Sequence, residues 1–254
     1  MLSMPFTPAH PALVLPLLRS RYFSATGLII GSMSPDFEYF FKMSVNGIHS
    51  HTKAGLLYFD LPVTIILSLI FHQFVKMNLI GNSPVFIQKR FQDTLQFNFL
   101  SYLKTNWGIF LISAMLGAAS HIFWDSFTHN NRFFVRQFSE FYRNTSVPFD
   151  GANYPLWYVL QQISTTIGLT AVVFYIILKR PIQDRELLAP KISYWLLVFA
   201  IGIVVLRLRF FIHYSDYNLG NVVVTSITGL MIGVVCCGFI NFKNSIYYQK
   251  SLNG

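Results

Sequence analysis

Trp107-Gly-Ile-Phe-Leu-Ile-Ser-Ala-Met-Leu-Gly-Ala-Ala-Ser-His121-Ile-Phe-Trp124 contains no acid and no base. Wound as a helix at 1.5 Å per residue, the run covers most of a hydrocarbon core about 30 Å thick. A helix on the surface of a soluble domain would alternate this apolar character with a charged face, and this one does not. The stretch therefore reads as a membrane span. Four further runs fit the same template, over residues 56–75, 159–178, 194–212 and 222–240. The first of these carries Asp60 and Pro62 in its opening turns, which a span accommodates where it faces protein or water.

Composition agrees. Of 254 residues 53% are hydrophobic, 17% aromatic and 11% charged, with a mean hydropathy of +0.47. A soluble domain carries about 25% charged residues, so this chain lacks the charge to cover a water-facing surface. The formal net charge of +9 sits in short clusters between apolar runs, a loop pattern that argues against nucleic-acid binding. Cys236 and Cys237 are adjacent inside an apolar run, where they build neither a disulfide framework nor a four-thiolate metal site. The expected fold is an all-α integral membrane protein of about five transmembrane helices, forming a single domain over residues 1–254.

Within it, residues 1–55 form a short N-terminal helical hairpin and a polar segment. Residues 56–129 hold two spans, 130–156 an ordered extramembrane cap, and 157–254 three further spans and a tail. The hairpin pairs the apolar stretches 11–18 and 25–33 and ends at Ser34-Pro35-Asp36, because proline disfavours helix in the residue before it. Pro5, Pro8, His10 and Pro11 interrupt any signal-peptide core, so the mature chain is expected to begin near Met1.

Orientation follows from the bases. Lys76, Lys89, Arg90 and Lys104, then Lys179, Arg180, Arg185 and Lys191, then Lys243 and Lys250 fall on one side. Lys42, Lys53, Arg132, Arg136 and Arg143 fall on the other, a moderate excess that puts the C-terminus in the cytoplasm. Trp107, Trp124, Trp157 and Trp195 read as interface anchors.

The chemistry concentrates where the opening run ends, in His121-Ile-Phe-Trp-Asp125-Ser-Phe-Thr-His129. On a helix, residues four apart share a face, so His121, Asp125 and His129 form a polar stripe. Its ends lie about 12 Å apart along the axis, too far for one ion to bind both histidines easily, though two ions sharing Asp125 fit. A second polar set comprises His10, Asp36, Glu38, His49 and His51. The hairpin returns Asp36 to the side where His10 lies, the first span begins just after His51, and the second brings His121 back to that side. The topology lets these groups converge at one membrane face. Such clustered histidines and carboxylates suit zinc, manganese or iron; the alternative is a set of interfacial hydrogen-bonding side chains. His213 and Asp216 either complete the site or cap a helix. Asp60 is a functional suspect as an intramembrane acid or serves backbone groups freed by Pro62. His72 reads as structural, and Arg132, Arg136 and Arg143 as solvated loop charge, the alternative being that they attract an anionic lipid headgroup.

The opening Met4-Pro-Phe-Thr-Pro-Ala-His10-Pro, with Gly31-Ser-Met-Ser-Pro-Asp36-Phe-Glu38-Tyr-Phe, His49-Ser-His51 and Ser120-His121-Ile-Phe-Trp-Asp125-Ser-Phe-Thr-His129, resembles an uncharacterised family of bacterial multi-pass membrane proteins over most of the chain. That resemblance implies the bacterial inner membrane. More distantly, the order His, Pro-Asp, His, His-x-x-x-Asp resembles membrane-bound metal-dependent hydrolases and zinc-dependent phospholipase C. This implies a zinc cluster held by His10, Asp36, His49 or His51, His121, Asp125 and His129. The phospholipases also use a free N-terminal amine and a downstream His-x-x-x-Glu that this sequence lacks after His129, which implies one or two ions.

The expected function is a metal-dependent hydrolase of the outer membrane face, acting on a phosphoester or lipid-like substrate delivered from the surrounding membrane lipids. Glu38, or Asp36 where it is not a ligand, is the expected general base. A non-catalytic membrane protein binding a metal, a lipid or a partner protein is the competing reading. A transporter ranks last, because the spans, Asp60 apart, are nearly free of polar residues.

Overall fold

The computed structural model describes residues 7–130, 132–182, 187–242 and 246–247. Met4, Pro5 and Phe6 of the opening motif, Arg185, and the tail bases Lys243 and Lys250 lie outside the described residues, as does the side chain of Arg143. In chain order a 3-10 helix, Thr7–Leu17, is followed by α1 (Ala25–Gly31), α2 (Phe37–Lys42), α3 (Leu56–Gly81), α4 (Val85–Phe91) and α5 (Phe99–Thr128). Then come α6 (Phe133–Gln137), α7 (Ser139–Asn144), the strands β1 (Ser146–Phe149) and β2 (Ala152–Pro155), α8 (Leu156–Leu178), α9 (Ile192–Ile212) and α10 (Leu219–Gly238). Two two-residue strands, β3 (Leu187–Leu188) and β4 (Ile246–Tyr247), pair with each other.

Among the described residues, α3, α5, α8, α9 and α10 are long and apolar enough to cross a membrane. They coincide with the five runs read from sequence, and the chain is an all-α protein of that kind. α5 begins earlier than the apolar run because Lys104 and Asn106 end the hydropathy signal without ending the helix, which distorts only at Asn106 (φ −125°, ψ 27°). The first arm of the N-terminal hairpin is a 3-10 and not an α-helix. Pro11 and Pro16 stand inside it and remove the N–H groups an α ladder would need. Pro62 has a related effect on α3: the turn just before it, Leu56–Asp60, widens to π geometry, and the Thr64 hydroxyl donates to the Asp60 carbonyl at 2.7 Å.

The chain packs as two compact units. The first comprises Met1–Tyr39, Val45–Ile65 and Asn106–Tyr175. Here α1 lies so close to α5 that a Cβ on Gly31 would strike the Ala114 carbonyl, and one on Gly117 would stand 2.7 Å from the Ser32 nitrogen. The Ser24 N–H donates to Ser113 Oγ at 2.8 Å, fastening the start of α1 to the same helix. After α5 come α6, α7 and a hairpin whose turn residues Asp150 and Gly151 both have positive φ, 49° and 73°. Positive φ at both central positions is the type I′ geometry that suits the right-handed twist of a two-stranded ribbon.

The second unit comprises Phe40–Ser44, Ile66–Thr105 and Ile176–Gly254. Its centre is the α9/α10 pair, where a Cβ on Gly229 would sit 2.8 Å from the Gly202 carbonyl and Tyr194, Val198 and Cys237 are buried. Gln88 clamps the β3 segment, donating to the Leu188 carbonyl at 2.8 Å and accepting its N–H at 3.0 Å. His72 stacks on Phe99 at 4.4 Å, a packing role. Asp216 pairs with Arg209 at 2.8 Å, and its carbonyl accepts from Asn221 at the start of α10, so in this unit it serves the helix ends.

Candidate metal centre

Asp36, His51, His121 and Asp125 meet inside the first unit. Asp36 comes from the turn Ser34–Asp36, where Pro35 ends α1 and starts the next turn. His51 comes from the loop before α3, while His121 and Asp125 stand one turn apart on α5. All four side chains are nearly or fully buried, at 5% exposure or less.

Five of the six edges joining Asp36 Oδ1, His51 Nε2, His121 Nε2 and Asp125 Oδ2 are direct measurements. The two carboxylates lie 3.5 and 3.4 Å from His51 and 3.4 and 3.3 Å from His121, and the two imidazole nitrogens are 3.3 Å apart. All four atoms lie within 4.8 Å of one another. Charge-assisted N–H···O bonds are shorter, about 2.7–2.9 Å, so these contacts are longer than close hydrogen bonds between charged groups. A tetrahedron with ligand bonds of about 2.0–2.1 Å has edges of about 3.3–3.4 Å. Cis ligands on an octahedral magnesium of similar bond length would be closer, about 2.8–3.0 Å apart. The spacing fits a tetrahedral ion such as zinc.

The far side of each group is held. Thr7 donates to Asp36 Oδ2 at 2.6 Å, leaving Oδ1 to face the cluster without a hydrogen-bond partner among the described residues. His121 Nδ1 lies 2.8 Å from the Ser32 carbonyl. A carbonyl only accepts, so Nδ1 carries the proton and, in the neutral ring, Nε2 presents its lone pair inward. Ser50 Oγ lies 2.8 Å from His51 Nδ1 and can orient that ring the same way. Backs fixed by neutral partners and fronts left to converge is the arrangement that metal ligands take.

Asp125 faces two ways. Its Oδ1 lies 3.7 Å from His10 Nε2 and 3.5 Å from His129 Nδ1. His10 stacks on His121 with ring centroids 3.6 Å apart, and neither of its nitrogens has a partner among the described residues. Burial pushes the His10 pKa down to about 4, which keeps the ring neutral at neutral pH, the form a ligand needs. His51 goes the other way: burial would lower it, but Asp125 and Asp36 outweigh burial and lift it above its ordinary value. Burial likewise opposes ionisation of Asp36, yet His121, His51 and His10 hold it well below the usual carboxylate range.

Not every expected residue arrives. His49, the alternative to His51, is exposed, with Nδ1 3.0 Å from the Tyr58 hydroxyl. Glu38, expected as a general base, is buried, and its two oxygens accept the backbone N–H groups of Ile48, His49 and Ser50, each at 2.8 Å. A carboxylate so occupied is a fastening for the loop that presents His51. Asp60 is fully buried, and neither carboxylate oxygen bonds any described residue, so its side chain does not serve the backbone around Pro62.

Sequence reasoning missed one residue beside the cluster and ranked another as loop charge. Gln161 of α8 is fully buried, with its amide nitrogen 3.4 Å from His129 Nε2. The amide oxygen, which an amide flip would exchange with that nitrogen, has no partner. A glutamine inside an apolar run was the available signal. Arg132, set aside as loop charge, donates from Nη1 to the His51 carbonyl at 3.2 Å; no local pattern distinguished it from its neighbours.

Fold and site together define a multi-pass α-helical membrane protein with a buried histidine–carboxylate cluster in one of its two units. The chain belongs to the family described as a domain of unknown function, DUF4184, whose model matches residues 4–239. No curated protein and no solved structure matches it.

Proposed function

We propose that this chain is a metal-dependent membrane hydrolase acting on a phosphoester or lipid-like substrate, with Asp36, His51, His121 and Asp125 holding a divalent ion, zinc by donor type. The observation that carries the reading is the convergence of four inward-facing donor atoms, all within 4.8 Å of one another and five of their six separations between 3.3 and 3.5 Å. Asp125 Oδ1, with His10 Nε2 at 3.7 Å and His129 Nδ1 at 3.5 Å, would offer a second flank with room in its donor count for a water or substrate ligand. Catalytic zinc sites keep such an open position, whereas structural sites are closed by four protein ligands. An ion on that flank would supply Lewis acidity toward an ester oxygen and lower the pKa of a water bound to it. The chain's own contribution is to hold neutral His10 against Asp125, to fix the His121 tautomer, and to keep the ligands out of bulk water.

The four-ligand group by itself favours a second reading, a closed structural ion in a non-catalytic membrane protein. The two differ in count and reactivity. Elemental analysis of detergent-purified protein is expected to give one to two equivalents of zinc, and near zero in a His121→Ala, Asp125→Ala double variant. One tightly held equivalent with no turnover of any phosphoester or lipid ester would move the assignment to the structural ion. No metal in the parent, even after supplementation, would sink both.

The finer location belongs to the same proposal: a bacterial inner membrane, the cluster toward the outer face and the C-terminus in the cytoplasm. The distribution of Lys and Arg between the loops supports it. A C-terminal reporter active only outside the cytoplasm would reverse the orientation.

A further inference from the structure

Beside the cluster lies a cationic group that the ligand set does not use. Arg132 reaches back from the N-terminal end of α6 to the loop that carries His51, and its Nη1 donates to the His51 carbonyl. A guanidinium has five N–H donors, and this carbonyl takes one. The Arg132 charge also acts on Tyr39 and His129. Tyr39 borders the same histidine, half-buried, its ring 5.4 Å from the His51 ring and packed against Gly47. The neighbouring carboxylate that would neutralise an arginine, Glu38, is taken up by three backbone N–H groups.

The geometry points to an oxyanion subsite: Arg132, with the Tyr39 hydroxyl, receives an anionic phosphoryl group of the substrate whose reacting atom lies at the metal flank. This rests on the metal-centre reading above and narrows its substrate class. An uncharged carboxylic ester offers a guanidinium little, whereas a phosphoryl group has oxygens for both an ion and a planar two-donor fork. That fork matches phosphate geometry in a way a lysine would not. The substrate is then a phosphomonoester, a phosphodiester or a pyrophosphate, whether soluble or the headgroup of a lipid.

The test uses full-length, zinc-loaded protein in detergent, titrated with inorganic phosphate by calorimetry while zinc content is measured on the same samples. Arg132→Gln is expected to keep its zinc and to bind phosphate about ten- to a hundredfold more weakly, the scale of one hydrogen bond to a charged group. Arg132→Lys should recover part of the loss, and Tyr39→Phe should weaken phosphate a few-fold with zinc unchanged. Acetate should compete poorly. Phosphatidic acid in mixed micelles displacing phosphate would identify a lipid phosphoryl as the ligand; failure to displace would identify a soluble one, and both keep the subsite. Zinc retained with equal phosphate affinity in Arg132→Gln overturns it and leaves the metal centre standing. No zinc in the parent overturns both together.

Discussion

Between His49 and His51, two residues apart, sequence offered no means of choosing. The choice was made by the Glu38 carboxylate, which gathers the N–H groups of residues 48–50 and so turns one imidazole inward and the other out to Tyr58. Hence His49→Ala is expected to keep its zinc while His51→Ala loses it, read by elemental analysis of the two purified variants; equal zinc in both would refute the assignment. Ser50→Ala and Thr7→Val leave every ligand in place and remove only the groups behind them. Zinc affinity in each should fall about ten- to a hundredfold in a chelator competition, the usual cost of losing such a partner. Acid should weaken zinc binding too. His51 in the metal-free protein is held above its ordinary pKa by Asp125 and Asp36, so an ion must displace its proton. Below that raised pKa apparent affinity should drop about tenfold per pH unit for each ligand histidine that must release a proton. A flat profile from pH 5 to 8 would show that His51 is not a ligand.

Elements position these residues by backbone contact. α1 rests against α5 through glycines, and the carbonyl that fixes the His121 tautomer belongs to Ser32, the residue after α1. Gly31→Ala would push a Cβ into the Ala114 carbonyl, an atom of the helix backbone that cannot rotate away. The expected cost is about 1–3 kcal/mol, typical of overpacking, visible as a lower melting temperature in detergent and accompanied by weaker zinc binding. Gly108, whose added Cβ would meet nothing within 4 Å, is the control: Gly108→Ala should melt no lower than the parent. Similar melting of both would mean that the α1/α5 contact is looser than described.

For the whole molecule, five long apolar helices among the described residues predict that the protein stays with the membrane after alkaline carbonate washing. Quantitative release into the soluble fraction would sink the membrane assignment. The spans were legible because each is a local property, a run of residues whose transfer from water is favourable whatever its neighbours do. So was most of the cluster: His121 and Asp125 share a helix face by spacing alone, and the hairpin topology brought Asp36 toward them. Gln161 and Arg132 were not legible, because each becomes part of the site only through the packing of elements distant in sequence.

Sequence by itself determined the number and approximate limits of the apolar helices, the polar stripe on the second, and the set of residues from which the buried histidine–carboxylate cluster is drawn. It did so because helical periodicity and hydrophobicity are written within a few turns of chain. Tertiary structure alone decided which histidine of the His49-Ser50-His51 pair faces Asp125, that Glu38 fastens a loop, and that Arg132 reaches the His51 carbonyl. Those outcomes depend on distances of a few ångströms between segments tens of residues apart, set by close-packed backbones and hydrogen bonds that no local pattern encodes.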